Sequence, residues 1–198
     1  MKIVIVYHSV TGTTAQLAEA IAAGCSSGMA VDVQLLRIEG EDIIQGRYRN
    51  SSLLDAIDQA DGVIFGSPTF MGSVSSQFKA FADATAGDRW GKQLWADKVA
   101  AGFTVGTGYC GDTLHSLHYL QILAAQQGML WTGLDLAGAG DVKSPNRLGA
   151  QAGLIVRAVD GAIEQPDLQT AFYLGQRVVR VVSRCMWQEQ KPESGQQL

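Results

Sequence analysis

The six residues Ser9-Val10-Thr11-Gly12-Thr13-Thr14 carry four hydroxyl groups and one glycine, with no cation among them. Such a set binds a phosphate without a lysine when it opens a helix. The first turn leaves N–H groups without partners and carries the positive end of the macrodipole. The flanks fit that position: Ile3, Val4, Ile5, Val6 and Tyr7 read as a buried central strand, and Leu17, Ala18, Ile21 and Ala22 recur at helical spacing. No lysine or arginine lies between Lys2 and Arg37. The loop is therefore not a P-loop, whose lysine faces the β- and γ-phosphates of a nucleoside triphosphate. A hydroxyl-lined cradle suits one terminal monophosphate better than a polyphosphate. The plainer alternative is that Thr13 or Thr14 only caps the helix and the loop binds nothing.

Two further loops carry residues suited to a flat ligand. In Gly66-Ser67-Pro68-Thr69-Phe70-Met71-Gly72, small residues and a proline fix a backbone that can lie along a ring. The other, Thr104-Val105-Gly106-Thr107-Gly108-Tyr109-Cys110-Gly111, is glycine-rich with one aromatic. Phe70, Tyr109, Trp90 and Trp95 are candidates for stacking. Each taken alone reads as core or subunit interface, and only convergence makes them a site. Gly106, Gly108 and Gly111 spell Gly-x-Gly-x-x-Gly, with Asp135 downstream. A dinucleotide-binding protein carries that pattern in its first β-α turn, whereas here it falls in the fourth, so the glycines read as places of close backbone approach. His8, beside the first loop, and His115 and His118, on the fourth helix, read as structural or solvated. Cys25, Cys110 and Cys185 are odd in number and widely spaced, which fits buried or free thiols better than a disulfide framework or zinc site.

The elements that must position these loops alternate. Strand patterns fall at Ile3 to Tyr7, Val31 to Arg37, Gly62 to Ser67, Lys98 to Val105 and Met129 to Thr132. Helical patterns fall at Thr14 to Ser27, Ser52 to Ala60, Val74 to Ala84, Thr113 to Gln127, and Asp167 to about Met186. The alternation predicts an α/β fold, a doubly wound five-stranded parallel sheet with helices on both faces. In such a sheet, ligands bind at the carboxyl ends of the strands, so the loops after the first, third and fourth strands should share one crevice. A chain of 198 residues with 46% hydrophobic content fits one domain, expected over 1–187, and the polar stretch 188–198 is expected as a disordered tail. The apolar runs are too short for a membrane span, and Lys2 is followed by a strand pattern where a signal peptide would have its apolar core. The expectation is a cytoplasmic protein. A formal charge of −4 without a basic aromatic patch excludes nucleic acid as the expected partner.

Tyr7, Ser9, Gly12 and Thr14, with Ala18 and Ile21 behind them, resemble the first loop of the flavodoxin-like superfamily, from which Val10 departs. The resemblance implies a loop wrapped around the phosphate of FMN, with Ser9, Thr11, Thr13 and Thr14 as hydroxyl donors. A closer resemblance, over nearly the whole chain, is to the tryptophan-repressor-binding-protein type of NAD(P)H:quinone oxidoreductase. It rests on Ser67-Pro68-Thr69 with Gly72, on Phe81, Asp83, Thr85 and Gly87 before Trp90, on Thr104 to Gly108, and on Gly128-Met129. These proteins are FMN enzymes and typically tetramers. By that resemblance Pro68, Thr69 and Gly72 lie along the flavin ring, and Trp90 closes the pocket near a neighbouring subunit; Phe70 and Met71, between them, are cofactor-binding candidates by their place in the loop. Thr107, Gly108 and Tyr109 follow the FMN edge, and Thr104, Val105 and Gly106 before them are cofactor-binding candidates of the same loop. The long segment from Gly133 to Gln165 has no helical pattern and reads as a functional or assembly loop, in which Asn146, Arg147 and Gly149 resemble a flavin-pocket loop.

Two departures fall where that family handles its substrates. Phe70-Met71 stand in place of Arg-Phe, and Gln126-Gln127 in place of a histidine pair. Phenylalanine cannot pair with a nucleotide phosphate as arginine does, and glutamine offers a hydrogen bond where histidine gives a proton. Gln127 is thus the catalytic candidate, expected to face the flavin crevice from a helix C-terminus. The implied activity is reduction of a quinone-like small molecule with NAD(P)H as electron donor, in a homodimer or homotetramer. The alternatives are a flavodoxin-like electron carrier, against which the mild charge speaks, and a flavin-binding regulatory protein with little turnover.

Overall fold

β1 (Lys2–Tyr7) is the strand around which the sheet is built, because its β-branched run is buried on both faces beyond Lys2. It pairs in parallel with β2 (Asp32–Arg37) on one side and β3 (Gly62–Phe70) on the other, with Ile5 opposite Leu35 and Ile64. β4 (Val99–Gly106) continues the sheet beside β3, and β5 (Leu154–Val159) pairs in parallel with Phe103 to Gly106. The order is β2-β1-β3-β4-β5, the doubly wound arrangement expected. The computed structural model describes residues 1–138 and 141–189. Among these, no helix is long and apolar enough to cross a membrane.

The fifth strand corrects the sequence reading. Met129 to Thr132 yields only the two-residue strand Leu130–Trp131, beside Val99 and Ala100, while the full β5 comes from the segment read as a loop. One edge of β4 is thus shared by two pieces of chain. The overlooked signal is Asp160-Gly161, at φ of 53° and 78°, which turns β5 into an antiparallel hairpin with Ala162–Ile163. Asp-Gly between apolar residues is a strong two-residue hairpin signal.

Helices α1 (Thr13–Cys25) and α5 (Gln165–Glu189) cover one face of the sheet, packing Leu17, Ile21, Leu174, Val178 and Val182 on Ile3, Ile5, Ile64 and Phe103. On the other face α2 (Ser51–Asp58), α3 (Ser76–Ala84) and α4 (Gly111–Gln126) pack Leu53, Ile57, Phe78, Phe81, Leu117 and Leu120 on Val4, Val6, Val63 and Phe65. Odd and even residues of β1 serve opposite cores, as the two-residue period requires. α1 and α5 touch backbone to backbone: a Cβ on Gly24 would lie 1.9 Å from the Phe172 carbonyl oxygen, and one on Gly175 2.1 Å from that of Ile21. α5 ends at Glu189, so the expected tail at 188–198 falls partly on helix, and its remainder, 190–198, lies outside the described residues.

Trp95 is neither a stacking residue nor an interface residue. Among the described residues it is the largest fully buried side chain, and its Nε1–H donates to Asp58 Oδ1 at 2.7 Å. Arg89 grips the same carboxylate through Nε at 3.0 Å and Nη2 at 2.9 Å. Asp58 thereby ties the segment between α3 and β4 to the end of α2.

Candidate functional site

The first loop is built as an anion cradle. Gly12 takes φ 93° at the N-cap of α1 and supplies no side-chain cap, whereas α2 and α3 are capped by Asn50 and Ser75, which accept from Leu53 N and Phe78 N. A side chain at Gly12 would be strained in that left-handed conformation. Thr14 is 1% exposed, and its Oγ1 has no partner. A buried hydroxyl without a partner costs stability unless a ligand completes it. The cradle thus fits a phosphate on two counts, a helix start whose N-cap residue has no side chain and an orphaned hydroxyl. Ser9 is also buried, and its Oγ accepts from Ala15 N at 3.3 Å, so it shapes the loop. Thr11 and Thr13 share a hydroxyl contact at 3.4 Å.

A cation does approach, from outside the motif. Arg37, at the end of β2, donates from Nη2 to the Ser9 carbonyl at 2.9 Å and pairs with Glu39 at 3.3 Å. Its charge is engaged with those groups. His8, beneath the loop, has its pKa lowered by burial and then by Arg37. It is therefore neutral near pH 7 and adds no positive charge.

The loops after β1, β3 and β4 meet, as expected, around a cleft of about 590 Å³ lined by Val10, Thr11, Thr13, Thr14, Pro68, Thr69, Phe70, Val105, Gly106 and Thr107. A second cleft of about 550 Å³ shares Thr69, Gly106 and Thr107 with it and adds Met71, Gly72, Gly108, Tyr109, Cys110 and the start of α4. Together they form one elongated crevice at the carboxyl edge of the sheet. Sequence reading missed its far wall, Ala158, Asp160 and Gly161 from the β5 hairpin. Phe70 and Met71 reach the rim because β3 turns back on Ser73–Val74 through Met71 and Gly72, at φ of 48° and 78°. His115 on α4 contacts the Gly72 carbonyl oxygen through Nδ1 at 2.7 Å and fastens this hairpin.

Five predicted residues line neither cleft: Ser9 and Gly12 stay within the first loop, and three lie elsewhere. Thr104 is fully buried and lines neither cleft. It donates to the Ser67 carbonyl at 2.8 Å and meets Thr69 Oγ1 at 2.8 Å, so it supports the crevice floor. Trp90 and Gln127 sit together on a separate cavity of about 480 Å³ with Thr85, Tyr119 and Ile122. α4 begins at the crevice and runs 16 residues away from it, roughly 24 Å. The expectation that Gln127 faces the crevice is therefore corrected within a single chain. Its Nε2 donates to Thr85 Oγ1 at 2.8 Å, and its buried Oε1 has no partner. Asn146 and Arg147 are also turned to structural use: Asn146 holds the Leu136 carbonyl at 3.0 Å and Ala150 N at 3.0 Å. Arg147 pairs with buried Asp167 through two bonds of 2.9 and 2.8 Å, pinning the long loop to the start of α5.

A β2-β1-β3-β4-β5 sheet with a hydroxyl-lined loop after β1 and a crevice at the carboxyl edge has the form of the flavodoxin-like class. The model of the NADPH-dependent FMN reductase family matches residues 1–137, and the chain belongs to that family. It is 38% identical over 188 residues to the flavodoxin FldP of Pseudomonas aeruginosa, covering 91% of this chain and 96% of that one. It is 32% identical over 197 residues to an NAD(P)H dehydrogenase (quinone) of Archaeoglobus fulgidus, covering 92% and 98%. Among solved structures, the flavodoxin, WrbA-like protein from Agrobacterium tumefaciens superposes with a TM-score of 0.71 at 35% identity, covering 92% of this chain and 98% of that one.

Proposed function

We propose that this chain is an FMN-dependent oxidoreductase that uses NAD(P)H to reduce quinones or similar planar acceptors. The observation that carries the reading is the buried, unpartnered Thr14 hydroxyl in the first turn of α1, on the lining of the crevice. Ser9, Thr11, Thr13, Thr14 and the first N–H groups of α1 would hold the FMN phosphate. Pro68, Thr69, Gly106, Thr107 and Gly108 would border the ring. FMN, when bound, supplies the two-electron chemistry, and the protein supplies orientation and electrostatics. Phe70 and Met71 offer the acceptor an apolar rim, and that rim provides no guanidinium for a nucleotide phosphate. Steady-state NAD(P)H oxidation with benzoquinone by the FMN-loaded protein is expected to exceed that of free FMN severalfold. Turnover no faster than free FMN, with the flavin retained, would favour an electron carrier, the reading to which the FldP similarity lends support.

The partner is a second copy of the chain, forming a homodimer or homotetramer. Trp90, Leu94, Ile122 and Leu130 are exposed apolar side chains, and Trp90 and Ile122 border the cavity that holds Gln127. Such a patch on a soluble domain marks an interface. Gln127 takes part in acceptor binding only if a neighbour's crevice is brought against this cavity. Light scattering should return at least twice the 21.1 kDa chain mass at micromolar concentration, and Trp90→Asp should return a monomer. A monomeric wild-type protein with FMN bound would remove both the oligomer and the role of Gln127.

A further inference from the structure

Arg157 belongs to none of the motifs that point to FMN, yet it stands on β5 opposite Gly106, the residue from which the glycine-rich loop departs. Its Nε donates to the Thr107 carbonyl at 3.2 Å, and its guanidinium carbon lies 4.3 Å from the centroid of the Tyr109 ring. One side chain thus holds the loop at two points, one on the backbone and one on an aromatic face. Thr107, Gly108 and Tyr109 are otherwise exposed to solvent. A glycine-bearing loop left free must be ordered when a ligand binds, and that ordering reduces affinity. A cation on a tyrosine face attracts it through the ring quadrupole, and arginine is suited to such stacking.

We propose that Arg157 is a positioning residue that latches the Thr107 to Cys110 loop, with Tyr109 as its handle, in the shape that borders the flavin. The flavin part rests on the reading of the crevice as the FMN site; the latch does not. The latch is tested first in the cofactor-free protein, by the rate at which chymotrypsin cuts after Tyr109. Arg157→Gln should be cut severalfold faster than wild type with an unchanged thermal midpoint, while Arg157→Lys, which keeps the cation, should recover part of the protection. In FMN titrations, Arg157→Gln and Tyr109→Leu should each weaken binding roughly three- to tenfold. The double variant should be no weaker than Arg157→Gln alone, because that substitution already removes the ring contact that Tyr109→Leu deletes. Tyr109→Phe should bind FMN like wild type. Cutting of Arg157→Gln at the wild-type rate would overturn the latch, whatever FMN does. Faster cutting with unaltered FMN affinity would overturn the positioning role. Faster cutting in a chain whose wild type binds no FMN would leave the latch standing and overturn the flavin reading, and with it the role proposed here.

Discussion

Replacing Thr14 by alanine is expected to weaken FMN binding about ten- to a hundredfold while leaving the fold intact. Thr14 is in the first turn of α1, where its hydroxyl is buried and without a partner in the protein. Alanine tolerates that backbone and removes an unsatisfied group, so the cofactor-free protein should lose no stability. A hydrogen bond to a charged group contributes roughly 1.5 to 3 kcal/mol, and about 1.4 kcal/mol is tenfold in affinity. Thr14→Ser keeps the hydroxyl and should bind nearly as wild type. Titration of the apoprotein by quenching of flavin fluorescence measures both. Equal affinity of wild type and Ser9→Ala/Thr14→Ala would remove this loop from the phosphate site.

Trp95→Ala is expected to cost roughly 3 to 5 kcal/mol of folding stability, the usual range for deleting a buried tryptophan. The loss is a large part of the 5 to 15 kcal/mol that holds a typical domain folded. Two effects add. A cavity opens in the core beneath α2, and the Asp58 carboxylate loses its indole donor and keeps only the Arg89 guanidinium. Urea unfolding should show the midpoint fall with little change in slope. Trp95→Phe fills most of the volume but lacks the N–H, so it should lose less and keep wild-type affinity for FMN. Weakened FMN binding in Trp95→Phe at full stability would restore Trp95 as a flavin contact. A loss under about 1 kcal/mol in Trp95→Ala would contradict its placement in the core.

The hydroxyl-lined loop between strand and helix was legible because strand, loop and helix start are contiguous in sequence. A β-branched run, hydroxyls around a glycine and a helical apolar period specify the local geometry wherever the unit sits. The same locality made the carboxyl-edge crevice readable. β5 escaped because its apolar run is short, is interrupted by Arg157 and follows a long irregular segment. Its pairing partner, β4, lies nearly fifty residues upstream. Gln127 was misplaced for a reason that topology could have supplied. A helix linking parallel strands runs back against them, so when its start faces the crevice its end lies at the opposite edge.

By itself, then, the sequence determined the sheet's central strands, the cradle at Ser9 to Thr14 and the membership of Pro68 to Gly72 and Gly106 to Tyr109 in one crevice. All of these follow from short-range pattern and from the rule that parallel strands end together. Only the tertiary structure decided which side chains were withdrawn from that crevice and which were added to it. Trp95 went to the core, Thr104 to the floor, Trp90 and Gln127 to another cavity, while Ala158, Asp160 and Gly161 arrived from the β5 hairpin. Burial and pairing of this kind depend on contacts between residues far apart in the chain, which no local pattern encodes.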